Sequence, residues 1–145
     1  MATAAPAGAA KTPAQTYALI FGAVYLLVGI LGFFVAGSFT GGSADDKLIL
    51  FPVNHLHNII HVALGAVLLA GSRSATGAKS ANTLVGVVLL LVAVLGFLGL
   101  DLMHTLINIQ GSGDADNFLH LVTGGAALYF GTAGAAKGYG SPPAA

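Results

Sequence analysis

The 145-residue sequence contains no cysteine and no glutamate, and only 7% of its residues are charged. Without cysteine there can be no disulfide, thiolate zinc site, iron–sulfur cluster or cysteine nucleophile. Without glutamate the His-Glu-x-x-His helix of a zinc protease is excluded. A soluble domain usually carries about 25% charged residues, and this chain lacks the polar material to clothe a water-soluble globule. The formal net charge is zero, which removes the electrostatic case for a nucleic-acid partner. The ionisable supply, tyrosines and termini aside, is five Asp, five Lys/Arg and five His. It holds no nucleophile paired with a base, no nucleotide-binding loop and no carboxylate pair within an apolar stretch, so an enzyme is not the expectation.

What the chain has in quantity is apolar side chains, at 56%, together with 21 glycines. The charges cluster and leave four uncharged stretches, residues 12–44, 48–72, 80–100 and 117–136. A membrane span needs ~20 mostly apolar residues, because lipid cannot satisfy free backbone amides. The pattern predicts an all-α, four-transmembrane-helix bundle with helices near residues 17–36, 55–71, 82–100 and 117–135. Pro52 and Asn54 mark the start of the second, and Gly111-Ser112-Gly113-Asp114 reads as a turn before the fourth. One transmembrane domain over 17–136 is expected, with tails 1–16 and 137–145 disordered. The first apolar run is longer than a signal-peptide core and is read as an uncleaved helix. Lys11, Arg73, Lys79 and Lys137 fall on one side, whereas Lys47 and all five Asp (45, 46, 101, 114 and 116) fall on the other. The termini are therefore expected to be cytoplasmic, in the cytoplasmic membrane.

The halves of the chain, 17–72 and 82–136, resemble each other. Shifted by 64 residues, 22–34 matches 86–98 at eight of thirteen positions, including Gly22/Gly86 and Gly32/Gly96. Shifted by 59, Asn58, His61 and Gly65 meet Asn117, His120 and Gly124, the shared string being Asn-x-x-His-x-x-x-Gly. Two spans separate the copies, so two parallel-repeat helical hairpins related by an axis along the membrane normal are predicted. On a helix each triplet shares one face; His57 lies one turn from His61, and Asp116 is its counterpart in the repeat.

The segments Pro52-Val53-Asn54-His55-Leu56-His57-Asn58-Ile59-Ile60-His61 with Gly65, and Asp114-Ala115-Asp116-Asn117-Phe118-Leu119-His120, resemble small bacterial four-helix membrane proteins of the domain of unknown function 4383 family. The similarity runs over about residues 17–135. It implies four spans and a membrane location, and no activity.

A polar face within lipid must turn inward. In the main reading Asn54, Asn58 and Asn117, acting partly as helix caps and partly as glue, form with the histidines a structural polar layer joining the second and fourth helices, each interhelical hydrogen bond contributing about 0.6–2 kcal/mol. The protein is then a small structural or accessory membrane protein within the lipid bilayer, as a homo-oligomer or in a larger membrane complex. A first alternative is a cofactor. His61 and His120 would be axial ligands of a b-type haem, with Gly65 and Gly124 leaving room for the macrocycle, or His57, His61, His120 and Asp116 would hold Zn²⁺ or another divalent metal. A second is proton or small-solute conduction through His57 and Asp116. His104 is expected in a loop within reach of Asp101, His55 in a solvated first turn, and Asp45 and Asp46 in an exposed acidic loop.

Overall fold

The structure, a computed structural model, describes residues 10–132; of the tails expected at 1–16 and 137–145, residues 1–9 and 137–145 lie outside the described residues, and 13–16 belong to the first helix. Five helices and one small hairpin follow in order: α1 (Pro13–Gly32), β1 (Lys47–Leu48), β2 (Phe51–Pro52), α2 (His55–Gly71), α3 (Ala75–Phe97), α4 (Asp101–Ile107) and α5 (Ala115–Gly131).

The helix starts follow from local chemistry. Thr12 Oγ1 accepts from Gln15 N at 3.3 Å while Gln15 Oε1 accepts from Thr12 N at 3.1 Å, a reciprocal cap with Pro13 in the first turn. This cap starts α1 four residues ahead of the expected 17. Ser74 accepts from Gly77 N at 3.0 Å and starts α3 ahead of the expected 82. Asn54 caps α2 by accepting from His57 N, and Asp114 caps α5 by accepting from Asp116 N.

The expectation of a four-transmembrane-helix bundle is corrected here. Among the described residues there are five helices, and two of them, α1 and α3, are long and apolar enough to cross a membrane. Helices α2 and α5 have 17 residues each, about 26 Å at a rise of about 1.5 Å per residue, against a hydrocarbon layer of about 30 Å. Their first turns also carry His, Asn and Asp. The fifth helix, α4, occupies chain expected to be loop; Met103 and Ile107, one turn apart, bury against Ile60, Val92 and Leu95. The outward faces of α1, α3 and α5 remain apolar, with Ile20, Leu27, Leu91 and Val122 all more than half exposed.

Helix α1 packs chiefly on α2, and α3 on α5. Both pairs close at glycines. An added Cβ on Gly65 would stand 2.7 Å from Leu26 N and 2.8 Å from Gly22 O; one on Gly86 would stand 2.6 Å from Leu128 N and 2.9 Å from Gly124 O. Backbone is therefore in contact with backbone, at a separation that no larger residue permits. Higher up, Gly32 lies against the Asn58 amide and Gly96 against that of Asn117.

The connection between α1 and α2 is folded rather than loose. Lys47 pairs with Pro52 and Leu48 with Phe51 across the hairpin, and Asp46, expected in an exposed acidic loop, accepts from Ser43 N at 3.0 Å. Two wholly buried asparagines fasten this connection to α4. Asn54 Nδ2 donates to Gly41 O (3.0 Å) and Leu106 O (2.9 Å), and Asn108 Nδ2 donates to Ser43 O (3.1 Å) and Val53 O (3.2 Å). Asn108 has φ 61, a left-handed conformation that asparagine tolerates better than most residues and that ends α4 sharply.

Gly65→Ala and Gly86→Ala should each cost about 1–3 kcal/mol through overpacking. Gly125→Ala, where an added Cβ meets nothing within 4 Å, should stay within about 0.5 kcal/mol of the parent. Thermal unfolding in detergent separates these cases.

Candidate metal centre

Residues four apart on a helix stack one above the other, and two such pairs face each other inside the fold. His57 and His61 project from α2, with ring centroids 4.4 Å apart. Asp116 and His120 project from α5. Across the gap the His57 and His120 rings are 5.9 Å apart and the His61 and His120 rings 6.2 Å. His57 Nε2 stands 3.4 Å and His120 Nδ1 3.9 Å from Asp116 Oδ2. One nitrogen of each histidine lies within 4.8 Å of the others. All four side chains are buried, none more than 4% exposed.

Their surroundings are apolar. A cavity of about 30 Å³ separates the imidazoles from Ile60, Leu64, Leu89 and Ile107, so α4 contributes one wall through Ile107. Both nitrogens of His61, Nδ1 of His120 and both carboxylate oxygens of Asp116 have no hydrogen-bond partner, while the His57 ring has only poorly aligned contacts with the backbone of Pro52 and Ile107. An ionised carboxylate taken out of water costs several kcal/mol unless it is neutralised or hydrogen-bonded, and each orphaned polar atom adds a penalty of about 1–3 kcal/mol. A cation at the centre would relieve these penalties together.

The donor set suits such an ion. Zinc takes nitrogen and oxygen ligands at about 2.0–2.2 Å in a tetrahedron, placing donors about 3.4 Å apart. The two carboxylate–imidazole separations, 3.4 and 3.9 Å, are close to this, and the nitrogens, within 4.8 Å of one another, need to contract by up to about 1.4 Å to match it.

Haem does not fit. The 30 Å³ cavity is of the order of one water molecule, far too small for a macrocycle. Gly65 and Gly124, expected to make room for it, are covered by the backbones of α1 and α3.

Of the two roles expected of the asparagines, the cap is present at Asn54 on α2, and their other hydrogen bonds run elsewhere than across the two helices. Asn54 reaches loop carbonyls, Asn117 Nδ2 donates to Gly111 O at 2.8 Å, and Asn58 sits against Gly32; none joins α2 to α5. His55 stacks on Phe33 at 5.6 Å, and His104, within α4, faces Gly42 O at 3.2 Å rather than Asp101. The sequence pattern does not single out Asn108 or Ile107; it places Tyr25 deep against a helix neighbour but does not pair it with Thr123, whose hydroxyl lies 2.9 Å from that of Tyr25 beside His61. The spacing of Met103, Ile107 and Asn108 held the signal for α4: one buried helical face followed by a left-handed stop.

The Domain of unknown function (DUF4383) family matches residues 15–133. The chain belongs to this family. The match takes in both helix pairs and all four polar side chains, so the centre is part of the DUF4383 domain rather than an appendage to it. No curated protein and no solved structure matches the chain.

Asn54 both caps the helix that bears His57 and His61 and clips it to α4. Asn54→Ala should cost about 1–3 kcal/mol, as a buried group loses its partners, and should lower metal affinity by about 10–100-fold, the scale for groups that orient ligands. Unfolding and metal titration on one preparation check both effects.

Proposed function

We propose that this chain is a membrane-embedded metal-binding protein in which His57, His61, His120 and Asp116 hold one divalent first-row transition ion. The observation that carries the reading is the three buried imidazoles lining one small cavity, a nitrogen of each within 4.8 Å of the others, with the unpartnered carboxylate of Asp116 beside two of them. Imidazole and carboxylate without thiolate suit zinc, iron, nickel or copper(II) rather than copper(I). With Asp116 turned in as the fourth donor beside the three imidazoles, the four side chains would complete a tetrahedral set bordered by apolar neighbours. This is the arrangement of a holding site; a hydrolytic site keeps one position open for water. The role proposed is therefore binding, structural or for storage, within the membrane.

Elemental analysis of purified protein, before and after zinc titration, tests it. About one equivalent is expected, falling below about a tenth in His61→Ala and His120→Ala, with Asp116→Asn weakened because a neutral amide replaces the charged donor. Wild-type protein that stays below a tenth of an equivalent after titration, or alanine variants that bind as well as the parent, would overturn the reading.

Metal binding needs unprotonated imidazoles and an ionised carboxylate, so protons compete with the ion. Acidification should release it and alkalinisation restore it. Retention measured by dialysis across the acidic range should fall steadily with pH, and the thermal midpoint should fall with it, since an ion bound only by the folded state stabilises that state.

A further inference from the structure

Two spaces open along the seam between α1 and α5. The smaller, about 100 Å³, is lined by Phe21, Val24, Tyr25, His61, Leu119 and Thr123. The larger, about 410 Å³, is lined by Tyr17, Ile20, Phe21 and Phe130, with Lys11 at its border. Phe21 borders both, so they meet at one side chain. Polar pins hold the seam: Tyr17 Oη donates to Thr123 O at 2.8 Å, and Tyr25 Oη to Thr123 Oγ1 at 2.9 Å, the latter hydroxyl donating in turn to Leu119 O at 2.7 Å.

His61 borders both the inner cavity and the smaller seam space. Its ring is 4% exposed and neither nitrogen has a partner. The two nitrogens of an imidazole diverge. If one serves the ion, the other is an N–H, and a metal-bound histidine normally donates that proton to an oxygen. The hydroxyls of Tyr25 and Thr123 beside it are bonded to each other, and neither accepts from His61. A ligand in the seam can supply the missing acceptor.

We propose that the seam binds a lipid-soluble quinone, with a carbonyl oxygen accepting from His61, the ring edge against Phe21 and Tyr25, and the prenyl or alkyl tail in the wider space. The smaller space has no charged lining, so a neutral carbonyl fits where a fatty-acid carboxylate would bring in a bare charge. A hydrocarbon tail alone fills the volume but leaves the His61 N–H unpaired. The aromatic faces of Phe21 and Tyr25 suit a flat ring. The assignment of the second His61 nitrogen rests on the metal reading.

The chain has no tryptophan and four tyrosines, of which Tyr17 and Tyr25 line the seam, so tyrosine emission reports on a quinone bound there. The test is a titration of the full chain, zinc-loaded and in nanodiscs, with decylubiquinone, with palmitate and dodecane as competitors and zinc content measured on each sample. The expected result is saturable quenching weakened by at least about tenfold, equivalent to 1.4 kcal/mol, in Val24→Phe, which fills the smaller space while leaving zinc bound. Leu119→Phe is the second blocking variant should the first fail to fold. Quenching that does not saturate, is indifferent to both substitutions, or is displaced equally well by palmitate or dodecane overturns the quinone assignment. Zinc bound without quinone defeats this proposal alone; quinone bound without zinc leaves the seam standing and defeats the metal reading.

Discussion

A carboxyl group and three imidazoles are enclosed among aliphatic side chains, none more than 4% exposed, and this sets the terms for the rest of the fold. Asp116 cannot remain ionised and alone at 1% exposure. Its neighbours His57 and His120 are too distant for strong hydrogen bonds, yet spaced as donors around a common ion would be. On the reading proposed above, the polar groups share an ion rather than satisfy one another. That distinguishes them from an ordinary interhelical hydrogen-bond layer, in which partners meet at about 2.9 Å.

Holding such a centre demands that its walls be rigid. Glycines let α1 press on α2 and α3 press on α5 at backbone contact, fixing the rotation of the donor-bearing helices. From above, the asparagine clips hold α4 and the folded α1–α2 connection together, and Ile107 closes the cavity. Polar side chains serve here as fasteners for loop carbonyls that would otherwise be stranded at the apolar centre.

Part of this was legible in the sequence. The repeated Asn-x-x-His-x-x-x-Gly string put His61 and His120 on glycine-bearing faces, and helical spacing put His57 and Asp116 one turn away. Aliphatic residues carry little information about partners, so a few polar residues in an apolar chain stand out. Helix number and length were less legible. An uncharged run shows where lipid is tolerated but not where a helix stops, and α2 and α5 stop at 17 residues. The haem expectation failed because Gly65 and Gly124 were read as space for a ligand, when the backbone of a neighbouring helix fills it. Helix α4 escaped notice because seven residues produce too short a period, and the targets of Asn54 and Asn108 are distant carbonyls that no local pattern encodes.

The four donors are divided equally, two from α2 and two from α5, and His61 and His120 lie 59 positions apart. An ion bridging them closes a long loop, the case in which a cross-link removes the most entropy from the unfolded chain. It would act as a removable rivet between helix pairs whose other mutual contacts are comparatively sparse. During synthesis the first pair would carry half a clasp until the last helix arrived, so the ion would be captured only by a chain whose assembly was complete.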